Sequence, residues 1–204
     1  MAINSFAELN DMHKSVLQEI CNMGAGNTAT SVSQMVSSPT DISTPQVKIL
    51  SPALAGKVAD TLCKDALAFL IRLHVDVIGA LLFIFPCPFI ERLANAFFPR
   101  VEIKDAGGID EMTASLVGET VNLSAAAYAN SISLMTGMTV DISTPEAVKA
   151  PSGEILKVVG AGSPALCSVN NSIEILDCHE AYTALFYPEL NSVKAILDKL
   201  GMGA

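Results

Sequence analysis

Apolar residues recur at helical spacing in two long stretches of the chain. A repeat of about 3.6 residues predicts an amphipathic helix in each stretch. We expect the first helix over residues 7–37, before Pro39, and the second over residues 109–136, before Gly137. The apolar positions are Val16, Leu17, Ile20, Met23, Val32 and Met35 in the first helix, and Leu116, Val117, Val121, Leu134 and Met135 in the second.

The segments that follow each long helix are rich in β-branched, aromatic and leucine residues, which is typical of strands. Strands are predicted at 47–50, 66–74 and 78–85 in the first part of the chain, and at 156–159, 165–175 and 182–187 in the second. Short helices are predicted at 89–97 and 190–200, and the polar segment 104–108 connects the two parts. The order helix, strands, short helix therefore occurs twice.

The two parts also repeat residue by residue. Aligning residues 11–45 with 111–145 without a gap gives 14 identities in 35 positions, and the sequence Asp-Ile-Ser-Thr-Pro at 41–45 returns at 141–145. Since an internal repeat determines the architecture, we predict one α/β two-layer domain spanning residues 1–204. Its pseudo-twofold halves, about 7–103 and 109–204, should form a largely antiparallel sheet packed against the two long helices.

Three repeated polar residues fall on one face of each long helix. Ser15, Glu19 and Asn22 are spaced i, i+4 and i+7, and Gly26 extends the face by one turn. The second helix repeats the face with Ser115, Glu119, Asn122 and Ala126. In a single copy such a face would be an ordinary solvated surface, but its retention in both copies favours a functional site. A structural role, with the amides bonding nearby backbone and segment 41–45 fixing a turn, remains the alternative.

Composition narrows the possible partners. The chain has 12 Lys and Arg against 21 Asp and Glu, and the net charge of −9 argues against nucleic acid. The longest nearly uncharged run, 77–90, contains Pro86 and Pro88 and is too short to cross a bilayer. Without a secretory signal pattern, a cytoplasmic location is expected.

The cysteines lack disulfide or zinc-ligand spacing and are predicted to be core residues: Cys21, Cys63, Cys87, Cys167 and Cys178.

The polar face does not contain the residues of a self-sufficient active site. None of the three histidines is repeated, and the glycines at 24 and 26 lack the Lys-Ser/Thr of a phosphate-binding loop. A carboxylate and an amide on an exposed helix can instead act on another protein's active site. The carboxylate can pair with a lysine there, and the amide can hold a water in line for attack on a phosphoryl group.

These residues form a pattern that resembles a known family. Ser or Asp, three residues, Glu, two residues, Asn, 22 residues and Pro is the signature of the CheC/CheX/FliY phosphatases of bacterial and archaeal chemotaxis. Ser15, Glu19, Asn22 and Pro45 match it, and their counterparts match it again one hundred residues later. The stretch EICNMGAGNTAT at 19–30 also resembles the family's first helix. Two motifs in about 200 residues are similar to the CheC type.

The resemblance implies a substrate and a role for each residue. The substrate would be the aspartyl phosphate of a CheY-type response regulator. Asn22 and Asn122 would orient the attacking water, and Glu19 and Glu119 would contact the regulator's lysine. Ser15, Gly26 and Ser115 would belong to the binding face.

The resemblance also bears on cofactors and partners. The chain would need no cofactor or metal of its own, since the magnesium would belong to the regulator. CheD is a further partner that the family implies, and a monomer is expected because the duplication supplies internal symmetry. The alternative function is that of a non-enzymatic docking protein for CheY, CheD or the flagellar switch. Tyr128, bulky where the first helix has Thr28, predicts a weaker second site.

Overall fold

Every element of the first half has a counterpart about one hundred residues later. The computed structural model describes residues 3–98, 100–159 and 164–203. The helices are α1 Asp11–Val36, α2 Pro52–Leu62, α3 Cys87–Asn95, α4 Glu111–Thr136, α5 Pro151–Val159 and α6 Leu190–Lys199. The strands are β1 Thr40–Ile42, β2 Gln46–Leu50, β3 Ala66–Val75, β4 Gly79–Pro86, β5 Val140–Ile142, β6 Glu146–Ala147, β7 Leu166–Ile175 and β8 Glu180–Pro188. Single 3-10 turns, Phe6–Glu8 and Ala106–Gly108, precede α1 and α4.

The strands form one antiparallel sheet in which the two halves exchange their first strands. The order is β1-β7-β8-β4-β3-β5, with β2 also pairing with β7 and β6 with β3. The central pair joins the halves, with Leu82 opposite Leu185. β1 and β2 of the first half thus pair with β7 of the second, and β5 and β6 pair with β3 of the first. The predicted duplication and antiparallel sheet are confirmed.

The two faces of the sheet are covered unequally. The larger core lies between the sheet and α1, α3, α4 and α6, and a smaller core lies under α2 and α5 on the opposite face. Among the described residues, no helix is both long and apolar enough to cross a membrane. The two long helices therefore share one face, as expected from the sequence, and a short helix pair covers part of the other.

One predicted strand is wrong. Residues 156–159 belong to α5, because Pro151 begins a helix in which Pro151 and Ile155, one turn apart, both face the core. Its counterpart α2 was not predicted, although Ser51 before Pro52 is a typical helix start. The Ser51 hydroxyl accepts the Leu54 N–H at 3.3 Å. The two helices pack closely, since a Cβ on Gly56 would lie 2.9 Å from Ser152 Cβ.

Tyr128 lies at the crossing of α1 and α4 rather than on the polar face. Its side chain is 2% exposed, and its hydroxyl donates to Asn171 Oδ1 at 2.7 Å. Gly24 allows the close approach, because a Cβ there would lie 2.9 Å from Tyr128 Cγ. The steric reason for expecting a weaker second site is therefore wrong, since the ring is in the core.

Both long helices begin with a side-chain cap. The Asn10 Oδ1 accepts the His13 N–H at 2.9 Å, and the Asn10 N–H donates to His13 Nδ1 at 3.3 Å. In the second half, Asp110 Oδ1 accepts the Thr113 N–H at 2.7 Å, and this hydrogen bond lowers the pKa of Asp110. These caps satisfy free N–H groups of the first turn and fix where the polar face begins. His13 is thus part of a cap.

Candidate functional site

The repeated polar residues lie on the solvent side of the two long helices. Ser15, Glu19 and Asn22 are all exposed, while Leu17 and Ile20 of the same helix are fully buried. The same holds for Ser115, Glu119 and Asn122 on α4. Each helix buries most of its apolar side against the sheet, and this orientation presents the carboxylate and the amide outward. The prediction for Leu134 is wrong, since it is 76% exposed on α4. The structure therefore brings together each predicted set within its own helix and leaves it accessible.

The second Glu–Asn pair has an internal contact. Asn122 Nδ2 donates to Glu119 Oε2 at 3.4 Å, whereas no bond joins Glu19 to Asn22 in the described part of the chain. The contact directs the NH₂ end of the amide towards the carboxylate and leaves the Asn122 carbonyl oxygen as an acceptor. The two faces thus differ in how their amides are held.

A groove begins at the end of the first polar face. It measures about 560 Å³, and Gly26, Thr30, Ser33, Asp41 and Ile42 are among the residues that line it between α1 and β1. A Cβ on Gly26 would meet nothing within 4 Å, so packing does not require glycine here. The open surface is consistent with a face that another molecule approaches closely.

The repeated segment 41–45 joins the two halves of the sheet. The Ser43 N–H donates to Ser172 O at 3.0 Å, and Ser43 Oγ accepts the Ser172 N–H at 2.8 Å. Ser143 makes the same pair of bonds with the Arg72 backbone, at 2.9 and 3.0 Å. A hydroxyl thus replaces a backbone carbonyl where the chain leaves the strand ladder. This explains the repetition of the segment by structure and not by catalysis.

The signature proline is held by a residue that sequence analysis did not single out. Gln18 Nε2 donates to Pro45 O at 2.9 Å, and Pro45 itself is buried. The corresponding position on α4 is Gly118, which has no side chain to make this bond. Gln18 was missed because it is not repeated, and its position next to Glu19 is the one signal that pointed to it.

Besides the Ser15 and Ser115 hydroxyls, each polar face offers a carboxylate and an amide. Burial raises the pKa of Cys63 to about 11 and that of Cys167 to about 12, so these thiols are protonated at neutral pH. Among the described residues, no group of His, Cys, Asp or Glu is arranged to hold a metal ion. A Glu–Asn pair can bind a cationic side chain and orient a water molecule, which requires a reacting group supplied by a partner.

Part of the chain, including the first polar face, is similar to known proteins. A profile of the CheC-like family matches residues 12–49, which include Ser15, Glu19, Asn22 and Pro45. The chain is also 28% identical over 144 residues to the protein named CheY-P phosphatase CheC of Bacillus subtilis, covering 69% of this chain and 68% of that protein. The chain is similar to the CheC-like family over α1 and the strands that follow it. The resemblance found in the sequence is confirmed.

Solved structures of FliY and of FliM share the fold of this chain. Thermotoga maritima FliY superposes with a TM-score of 0.74 at 19% identity, covering 97% of this chain and 100% of that one. The middle domain of FliM from H. pylori gives 0.64 at 15% identity, with 94% and 99% covered. At these identities the likeness establishes the fold of this chain, and its function must be argued from the site.

Proposed function

We propose that the chain accelerates hydrolysis of the aspartyl phosphate of a CheY-type response regulator. The observation that carries the proposal is the pair of accessible Glu–Asn sets, one on each long helix, of which the first lies within the family match. The similarity to a protein named CheY-P phosphatase supports it. Each set would act as a separate site because each lies on its own helix.

In this proposal the amide and the carboxylate have different roles. Asn22 and Asn122 accept a hydrogen bond from a water through the amide oxygen and hold that water in line with the phosphorus. Glu19 and Glu119 pair with the lysine beside the aspartyl phosphate, which fixes the regulator against the helix. No nucleophile is needed from this chain, since aspartyl phosphates hydrolyse on their own and positioning lowers the barrier. The magnesium ion belongs to the regulator's site.

The experiment measures phosphate release from a phosphorylated CheY-type regulator with and without the full chain. Asn22→Ala and Asn122→Ala should each retain part of the activity, and the double variant should lose roughly 10²–10³-fold in kcat, as when one preorganised polar group is removed from a reacting centre. Binding of the regulator should change little, because an oriented water matters chiefly in the transition state.

Asn27→Ala and Asn130→Ala provide the matched control, since both amides are exposed on the same helices outside the Glu–Asn sets. The control double variant should keep full activity. A wild-type chain that binds the regulator tightly without changing phosphate release would refute the phosphatase and favour the docking protein. A fully active Asn22→Ala/Asn122→Ala double variant would remove the proposed role of the amides.

A further inference from the structure

The two halves differ in how far the exchanged strands extend. In one half, β2 covers β7 over five residues, so that Ile49 lies opposite Cys167 and Leu50 opposite Leu166. In the other half, β6 pairs only with Phe69 and Leu70 of β3, followed by one bond from the Val148 N–H to Ala68 O at 2.9 Å. Within the described residues, no strand residue on that side lies opposite Leu67 or Ala66. The start of β3 is an uncovered edge.

A second difference between the halves enlarges the uncovered region at the start of β3. The turn before α1 places Phe6 in the core at 3% exposure, whereas the equivalent turn before α4 has the small residue Ala106. Because β6 is short and Ala106 has no ring like that of Phe6, a groove of about 550 Å³ remains. Its apolar lining includes Cys63, Ala66, Leu67, Ala106 and Val148. The first half fills the equivalent position with its own residues.

The backbone of the uncovered edge is oriented for strand pairing. Successive residues of a strand direct their N–H and C=O groups to opposite sides, and Ala68 directs its C=O towards Val148. Ala66, two residues earlier, therefore directs its N–H and C=O into the groove. Small side chains at Ala66 and Ala68 allow another backbone to approach.

We propose that this groove binds an extended segment of another protein, which pairs antiparallel with the start of β3. Such strand addition takes its affinity from backbone hydrogen bonds and its specificity from side-chain pockets. The first half shows the chemistry that fits: Ile49 and Leu50 fill the same position beside β7, opposite Cys167 and Leu166. The segment begins with two adjacent large aliphatic residues, because Ala147 and Val148 already occupy the positions before them. The groove lining has two carboxylates, Asp65 and Asp105, against the one ammonium of Lys149, which disfavours an acidic segment.

The probe is the peptide acetyl-Ile-Leu-Ser-amide, which has the sequence of residues 49–51, titrated into the full-length ¹⁵N-labelled chain. Saturable shifts of the amides from Ala66 to Ala68 are expected, with slower hydrogen exchange at Ala66. A peptide with proline in place of leucine lacks the N–H that faces the Ala66 carbonyl and should bind roughly tenfold more weakly. None of these residues belongs to the Glu–Asn sets, so the outcome is independent of the proposed phosphatase activity.

Ala106→Phe tests the groove directly, because it restores the residue that the first half has at this position. This variant should weaken peptide binding by roughly tenfold or more, while Ala96→Phe, an exposed residue outside the groove lining, should bind like the wild type. No saturable shift at millimolar peptide, shifts on β7 through displacement of β2, or an Ala106→Phe chain that binds normally would each overturn the proposal. If Ala106→Phe fails to fold, equal binding of the proline peptide overturns it.

Discussion

Replacing Gly24 with alanine tests the packing of the two long helices. The added Cβ would lie 2.9 Å from Tyr128 Cγ and 3.0 Å from Tyr128 Cα. The ring cannot turn away freely, because it is 2% exposed and its hydroxyl bonds Asn171. Overpacking of a well-filled core costs about 1–3 kcal/mol. The higher helix propensity of alanine offsets up to about 1 kcal/mol of that cost. We expect a net loss of about 1–2 kcal/mol in unfolding free energy.

Gly26 provides the matched control on the same helix. A Cβ there would meet nothing within 4 Å, so Gly26→Ala should stabilise the chain by about 0.5–1 kcal/mol through propensity alone. Urea unfolding of both variants measures the difference, and in thermal unfolding each kcal/mol should shift Tm by about 2–4 °C for a chain of this size. A Gly24→Ala chain as stable as Gly26→Ala would refute the close contact between the helices.

Three further predictions concern the sheet, an ion pair and the site. Ser43→Ala and Ser143→Ala should each lower the unfolding free energy by about 1 kcal/mol; their effects should add in the double variant, because the two serines lie at opposite edges of the sheet. Hydrogen bonds from Arg92 and Ser38 lower the pKa of Asp177 from 3.8 to about 2, so this carboxylate stabilises the fold above about pH 4 and the contribution is lost as the pH falls towards 2. The difference in unfolding free energy between wild type and Asp177→Asn should shrink over that interval, and a constant difference would contradict the assignment. With the second site disabled, Glu19→Lys should weaken regulator binding more than Glu19→Ala, and the gap between them should narrow at high salt.

The sequence was sufficient for the features that depend on local periodicity. The polar faces were predicted because side chains at i, i+4 and i+7 share one side of a helix wherever that helix packs. The same reasoning failed for α5, where a short apolar run fits both a strand and a buried helix. Burial of Pro151 and Ile155 under the sheet decided between them.

Long-range partners could not be predicted from the sequence. The alternation of a strand determines which face it buries and not which strand lies beside it. The bond from Ser143 to the backbone of Arg72 spans 71 residues, and no local pattern specifies it. The expected effect of Tyr128 on the second site was wrong for a related reason, since only the crossing of α1 and α4 shows that Gly24 accommodates the ring.

The exchange of strands has a consequence for how such a chain can arise. One repeat by itself has a long strand equivalent to β3 or β7 with a bare edge, and a leading strand that fits the same edge on an identical copy. Two separate half-length chains can therefore pair about a twofold axis, with the leading strand of each chain on the bare edge of the other. In the present chain the exchange is intramolecular, so its two halves need not be identical, and they differ in their amide contacts and in the length of the exchanged strands.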